Sequence, residues 1–540
     1  MSSEDAAHAS GHGGVETNTS ETSLDDVVAK NERPRPRLPS FIQSLGLPEA
    51  VLFCVLLTWC SIFTYLPRLR HERFGTFGFD LGFYDQGVWL LSRFRDPFVT
   101  LRGLRLFGHH ADPILLLLAP FYWLGAGPIF LLVVQVIAQA MGALALYLLA
   151  RDLLHSKWAG VGIATAFCLN PTNQWLTWEF FHPDAVAIGP LLFAYWAART
   201  KRWGFFIVAG ALALLCKEDV ALSLVVLGIL IALRGDRRRG IVTAVISAAW
   251  FLFATRVWIP SQNHIGPFYE GLFGDLGKTP TEVVVNSVRH PTLSWRRASA
   301  GPAQSWYWKM LAPWALLPLL DLRTLVFAAP MIFVDVMSSF PYTRGYMFHY
   351  SAIVLVAVAV ATVEAIAWIS RRARLPSSTR NGLVIVVLVA ALLSSIAWGT
   401  SPISRQYHRG IWPLHADPRT PVKNAAISVL PSSASVSAAY DIVPHITHRE
   451  KVYEFPVPWC NINWGVHGEH LDNPDNVQWL LLDRTLLGAR DKSLLADLLS
   501  REFRIRFDVS DIVVAQRVHA PSTPTTDSPP DGGCHARPHP

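Results

Sequence analysis

The residues able to do chemistry fall in five short clusters. Phe79-Asp-Leu-Gly-Phe-Tyr-Asp-Gln86 carries Asp80 and Asp85, and Gly108-His-His-Ala-Asp112 carries His109, His110 and Asp112. Trp178-Glu-Phe-Phe-His-Pro-Asp184 carries Glu179, His182 and Asp184, followed by the triplet Lys217, Glu218 and Asp219. The last cluster, Tyr342–Tyr350, carries Arg344, His349 and Tyr350. A carboxylate beside Phe79, Phe83 and Tyr84 is partly desolvated, which suits a general base. Asp80 is the first candidate and Asp85 the second; the competing role for either is to cap a short helix. Imidazoles and carboxylates at 109–112 and 179–184 have the chemistry to hold a divalent metal. Their spacing matches no metal signature, so no metal is assigned, and substrate contact or an interfacial hydrogen-bond network are the other readings. Lys217 can bind a phosphate with Glu218 or Asp219 orienting it, or form a tight turn. Arg344 suits a lipid-linked phosphate, because guanidinium grips phosphate bidentately; snorkelling to headgroups is its structural alternative.

These clusters need a scaffold, and the composition says which kind. Of 540 residues, 51% are hydrophobic and 16% charged, against roughly a quarter charged in soluble domains. The apolar residues run in blocks such as Ile129–Leu149, Val220–Leu233, Ile241–Ile259, Ser351–Ile369 and Leu383–Trp398, near the length that crosses a hydrocarbon layer. The chain therefore reads as an α-helical polytopic membrane protein. Spans are expected at 49–66, 127–150, 158–170, 185–198, 203–216, 220–234, 240–259, 306–320, 324–340, 349–370 and 382–399, about 11 in all. The stretch 306–340 also reads as one irregular hairpin, and 113–124 as a re-entrant or interfacial helix. Asp335 and Glu364 lie inside apolar spans and are expected to pair within the bundle.

Lys and Arg collect in the short segments Lys30–Arg37, 199–202, 234–239 and 371–374. Placing all four in the cytoplasm satisfies the positive-inside rule. It puts the N-terminus inside and the C-terminus outside, and accounts for the net charge of +7 without nucleic acid. The long loop 67–112 holds seven Arg, but long loops weigh less in that rule. All five polar clusters then lie on the extracytoplasmic side, where buried ionisable groups mark a polar cavity.

The domain expectation follows. Residues 1–47 form a disordered cytoplasmic tail, and 48–399 a transmembrane domain with outer loops 67–112 and 260–305. Residues 400–517 form a small extracytoplasmic α/β domain, and 518–540 a disordered, Pro-, Ser- and Thr-rich tail. Within 400–517, a helix near 420–430 leads to Ala434–Ala438. Strands are expected at Lys451–Phe455, Val477–Asp483 and Asp511–Arg517, with a helix near 491–502. Six scattered cysteines with no CxxC pair give neither a zinc site nor a disulfide framework.

The segments FDLGFYDQGVW, HHADP, EFFHPDA, KEDVAL and HYSA, with LPSSASVSAAYDIVPHITHREKVYEFP in the tail, resemble the bacterial membrane proteins called the domain of unknown function 2079 family. The resemblance runs from about residue 50 to 515. That family is grouped with the GT-C class of multi-spanning glycosyltransferases. The resemblance implies an outward-facing active site, a polyprenyl-phosphate-sugar donor and an acidic base in the first outer loop. That position is Asp80 here, with Asp85 second. Lys217 and Arg344 correspond by position only to the class's carrier-phosphate contacts.

The expected function is transfer of a sugar from a polyprenyl-phosphate carrier to a cell-envelope acceptor at the bacterial plasma membrane. Asp80 would deprotonate the acceptor hydroxyl, and direct displacement would invert the anomeric configuration. No cofactor is required, since lipid phosphate is already a good leaving group. A transporter or flippase for a lipid-linked saccharide is the alternative from another class; it should carry polar groups near the midplane and on both sides. A non-catalytic scaffold presenting the tail domain is the third.

Overall fold

The computed structural model describes residues 46–263, 268–374, 376–460 and 472–519, with 268–270 as backbone only. The two expected disordered tails lie almost wholly outside the described residues. The chain divides into Met1–Ala50 and Val51–Pro540, and the fold belongs to the second unit.

Helices dominate. They are α1 (Leu47–Glu72), α2 (Phe83–Ser92), α3 (Pro128–Leu154), α4 (Lys157–Leu169), α5 (Pro171–Trp178), α6 (Pro183–Arg199), α7 (Trp203–Leu214) and α8 (Val220–Leu233), then α9 (Arg237–Asn263), α10 (Ala329–Met337), α11 (His349–Arg372) and α12 (Ser377–Trp398). Among the described residues, five are long and apolar enough to cross a membrane: α1, α3, α9, α11 and α12. Of the about 11 expected spans, several of them short, these five reach full crossing length. Residues 114–124, α4, α7 and α8 are apolar but only 10–17 residues long. The stretch 306–340 is a run of short helices and 3₁₀ turns broken near Pro313, Pro318 and Pro330, because proline removes a backbone donor and clashes with the preceding turn.

Helix α11 is the axis of the bundle. Every residue from Ala352 to Ala367 is buried, so the helix is apolar all round, as a helix enclosed by others must be. Its one carboxylate, Glu364, meets Arg199 at 2.5 Å and Arg234 at 3.6 Å, and accepts from the Tyr195 hydroxyl at 3.0 Å. The expected pairing of Glu364 is therefore present. It joins the C-terminal ends of α6, α8 and α11, the same ends that carry the basic loops. Asp335 is the contrary case. Both its carboxylate oxygens are buried without a hydrogen-bond partner among the described residues, because the nearby Thr343 hydroxyl donates to the Asp335 main-chain oxygen instead.

Beyond α12 the chain builds α13 (Thr420–Ser428), α14 (Ala489–Arg501) and a five-stranded sheet of order β4-β3-β5-β7-β6. The strands are β3 (Val436–Ala438), β4 (Val452–Glu454), β5 (Trp479–Asp483), β6 (Phe503–Val509) and β7 (Ile512–Arg517). A two-stranded hairpin, β1 (Phe98–Val99) with β2 (Leu104–Arg105), lies in the first long loop. β3 runs parallel to β4 and β5, while β7 is antiparallel to β5 and β6. All of β5 is buried. Trp479 and Leu481 join the core of the helical body, while Leu480 and Leu482 pack with Leu495 and Leu498 of α14. That two-residue alternation is the pleat, and a strand covered on both faces reads as an unbroken apolar run. β6 was not foreseen: Arg504, Arg506 and Asp508 make it look polar, yet charges are what an exposed edge strand carries.

Cys54, Cys60, Cys168 and Cys216 are free thiols, but Cys460 is disulfide-bonded. This corrects the absence of any expected disulfide; pairing depends on proximity in space, which sequence spacing does not reveal.

Glu364→Gln is expected to lower stability by roughly 2 kcal/mol, below the cost of breaking a fully buried pair because both arginines keep solvent contact. Thermal unfolding in detergent reads the change, and an unaltered melting temperature would remove Glu364 from the framework.

Candidate functional site

The chain brings its ionisable clusters together at the end of the bundle opposite Glu364. Helices α6, α8 and α11 each begin there. Pro183 opens α6 as its first residue, with Asp184 in the first turn; proline has no N–H to leave unsatisfied, and a carboxylate complements the positive helix end.

Lys217 is the deepest cation of the group. Its Nζ lies 3.0 and 3.2 Å from the two Asp184 carboxylate oxygens and 3.3 Å from Asp219. Lysine and Asp184 are both buried. Burial pushes the Asp219 carboxyl up to about 7 against the pull of Lys217. The adjacent Glu218 is fully buried; it bonds His110 Nδ1 at 2.8 Å and accepts the Ala111 N–H at 2.9 Å. One turn, 217–219, thus ties the start of α6 to the segment 109–112. Burial drives the His109 and His110 imidazoles well below the usual histidine range, favouring their neutral forms. It drives Asp112 well above the carboxylate range, with Glu218 adding to the effect. Asp112 Oδ1 finds no hydrogen-bond partner among the described residues.

The second half of the group surrounds Asp80. This residue sits on a single π turn, Gly78–Gly82, ahead of α2; such turns recur at functional sites. Gly78 is needed there, because a Cβ would meet Val443 at 2.9 Å and its N–H donates to Tyr440 O at 3.1 Å. Asp80 Oδ1 is 3.5 Å from His182 Nε2, and its side chain is 28% exposed. The His182 ring stacks on His349 with centroids 3.9 Å apart. His349 Nδ1 bonds Glu179 Oε1 at 2.9 Å, and the Tyr350 ring lies 4.1 Å from that of His349. Glu179, buried beside Asp80, is held well above the carboxylate range by desolvation. Glu179, His182 and His349 offer ligand atoms within 4.8 Å of one another.

Local strain holds this half in place. Phe180, between Glu179 and His182, has φ of 88°, a left-handed conformation that costs a non-glycine residue about 1–2 kcal/mol. The Arg70 guanidinium stacks 3.9 Å over Trp178 and 4.4 Å over Phe180, and donates to Trp178 O. On the other side, Gln135 Oε1 accepts the His182 N–H at 2.7 Å.

Two of the expected residues lie elsewhere. Asp85 is fully buried and turned toward the tail, where it accepts from Tyr122 at 2.7 Å and from Thr447, with His448 at 3.1 Å. Arg344 lies on the 3₁₀ turn Pro341–Arg344, beside Arg297 and Tyr307. Its Nε has no hydrogen-bond partner among the described residues. Conversely, Asp335, Gln135 and Tyr84 belong with the group and were not proposed for it. Asp335 faces the charges of Asp219 and Lys217, and Tyr84 those of Asp112, Asp184, Asp80 and Glu218. A lone carboxylate in the apolar run Ala329–Met337 was the signal for Asp335.

A cleft of about 470 Å³ lies apart from this group. It runs between the first long loop and the tail and is lined by Arg95, Asp96, Glu450, Lys451 and Asp472, among others.

A family profile described as "Predicted membrane protein (DUF2079)" matches residues 70–509. No curated protein matches the chain in sequence. Among solved structures, an oligosaccharyltransferase of Archaeoglobus fulgidus, in complex with Zn and sulfate, aligns over 80% of this chain and 68% of its own, with 13% identity and a TM-score of 0.38. A score of that size carries no argument about activity.

Lys217→Met should leave the buried Asp184 and the partly exposed Asp219 without their cation and destabilise the protein by roughly 3 kcal/mol. A melting temperature within a degree of wild type would show that this ion pair is dispensable.

Proposed function

The chain belongs to the DUF2079 family of predicted membrane proteins, and on that premise we propose that it is a membrane glycosyltransferase using a polyprenyl-phosphate-linked sugar. The observation that carries the reading is the exposure of Asp80. It is the most open carboxylate of the group and is held by no lysine or arginine among the described residues: its side chain is 28% exposed, against 5% for Asp184 and 9% for Glu179, while Asp219, at 22%, is paired with Lys217. A base must reach the proton it removes.

In this reading Asp80 deprotonates an acceptor hydroxyl as that oxygen attacks the anomeric carbon from the face opposite the carrier phosphate. The C–O bond to phosphate breaks and the configuration inverts. His182, next to Asp80, orients the carboxylate. The leaving phosphate gains negative charge, which positive groups aimed at it stabilise. Lys217 is already neutralised by Asp184 and Asp219, and Arg344 lies outside the group, so this charge falls to the helix ends. The converging N-termini of α6, α8 and α11 favour an anion at the same end.

The one-sided polarity favours an enzyme over a transporter. At the opposite end the prominent carboxylate, Glu364, is locked between two arginines, and the other carboxylates described there, Asp152, Asp236 and Asp321, also carry hydrogen-bond partners. In this reading the end with the basic loops faces the cytoplasm, as the positive-inside rule favours, and the Asp80 end and the tail lie outside the bacterial plasma membrane. The disulfide-bonded Cys460 fits an oxidising compartment.

Asp80→Asn is expected to cut sugar transfer by roughly 10²–10⁴ in folded protein. Wild-type protein that neither transfers nor hydrolyses any polyprenyl-phosphate sugar would sink the proposal. For sidedness, single cysteines replacing Arg238 and Glu450 should label from the cytoplasm and from outside respectively, over the background of the native thiols. The reverse pattern would overturn the orientation.

A further inference from the structure

Glu179, His182 and His349 come from separate places in the sequence. Glu179 ends α5, His182 precedes α6, and His349 opens α11. Their ligand atoms nevertheless lie within 4.8 Å of one another. The ordinary account is a hydrogen-bonded histidine–carboxylate pair, and the His349 Nδ1 to Glu179 Oε1 contact of 2.9 Å supplies it. That account leaves Glu179 Oε2 over. This oxygen is buried without a hydrogen-bond partner among the described residues, on a residue only 7% exposed. A buried carboxylate oxygen left unpaired keeps its full desolvation penalty. A cation seated among the three side chains removes that cost.

We infer that Glu179, His182 and His349 form a binding site for one divalent transition-metal ion. Two imidazoles and one carboxylate select a borderline cation such as Zn²⁺ over Mg²⁺. Three protein ligands leave a coordination position open, the arrangement of reactive rather than purely structural zinc sites. Asp80 lies 3.5 Å from His182, beside the three ligands. The backbone around the ligands is already fixed: Gln135 holds the His182 N–H at 2.7 Å, and Arg70 clamps Trp178 and Phe180. Supporting contacts of this kind set ligand orientation and affinity.

The geometry also says what loading must change. The two rings are stacked within 14° of parallel, and one ion cannot lie in the planes of both. Binding turns one imidazole, exchanges the His349–Glu179 hydrogen bond for two metal bonds, and draws the ligand atoms to about 3.3 Å apart, as tetrahedral bonds near 2 Å require. The stacked pair is the metal-free state.

The test uses the full-length chain in detergent, freed of any affinity tag and stripped with chelator. Co²⁺ serves as the spectroscopic probe and Zn²⁺ as competitor. The expected result is one Co²⁺ per chain, with visible absorption of low-symmetry four- or five-coordinate cobalt, displaced by Zn²⁺. Glu179→Gln should weaken binding at least 10-fold. His349→Gln, which keeps a hydrogen-bond donor to Glu179 while losing the imidazole, should do the same. Replacement of the exposed His408 by Ala should leave stoichiometry and spectrum unchanged. Zn²⁺ should raise the melting temperature of wild type and of H408A but not of the two site variants, whose metal-free melting curves report their folding. Fewer than 0.1 ion per chain overturns the site, as does binding that survives both site variants, which would place the metal on histidines elsewhere. The ion is counted without sugar donor or acceptor, so the result stands whether or not glycosyl transfer is found.

Discussion

A charge moved away from water must find a partner or be neutralised, and Lys217 is where the fold meets that requirement. One ammonium serves Asp184 and Asp219, while its neighbour Glu218 serves His110 and the Ala111 N–H. Three stretches of chain that begin far apart in sequence are therefore obliged to meet at one turn. With α6 and α8 starting there, and α11 beside them, three positive helix ends share one region. The cost of bringing so many carboxylates together is offset by that one cation and by helix ends that favour negative charge. The price appears in the raised carboxyls of Asp112, Glu179 and Asp219 and in the left-handed backbone at Phe180.

The two aspartates of the first long loop divide their work according to what covers them. Asp85 points under the tail, and Tyr122, Thr447 and His448 satisfy it. Gln86, the next residue, donates to Arg449 O and Glu450 O, while the Thr100 hydroxyl and the Val452 backbone exchange two hydrogen bonds. The loop is thereby stitched to β4 and its approach. Asp80, five residues earlier on the π turn, is left with His182 as its neighbour and with part of its surface open. The tail therefore does more than decorate the bundle: its contacts determine which of two similar carboxylates remains available. The shared apolar core, which runs from the helices through Val436, Ala438, Trp479 and Leu481, makes that assignment rigid.

Much of the architecture was written in local patterns. Long apolar blocks give membrane helices because a hydrocarbon layer satisfies no backbone polar group outside a closed hydrogen-bond pattern. The runs that became β4, β5 and β7, and the helix that became α14, were visible from β-branched and apolar periodicity. Span length was harder to read. Hydropathy does not distinguish a full crossing from a short helix enclosed by neighbours, and 306–340 looks apolar enough until its prolines are given their effect on the helix. β6 was hidden for the opposite reason, since its edge position makes polar residues acceptable.

The site divides along the same line. Residue type alone marked Asp80, His182, Glu179, Lys217 and His349 as candidates, because ionisable groups in an apolar chain are costly and seldom incidental. Type could not rank Asp80 above Asp85, since both sit in one aromatic segment, and the difference lies in a tail more than 350 residues later in the chain. It could not show that Lys217 is already paired, or that Asp335 has no hydrogen-bond partner among the described residues. Nor could it bring Glu179, His182 and His349 together, because their contacts span up to 170 residues. Composition and order dictated a helical membrane protein with its ionisable groups in a few clusters. Which of those groups are spent on one another, and which remain free, was decided only by the tertiary structure, because pairing and desolvation depend on distances through space.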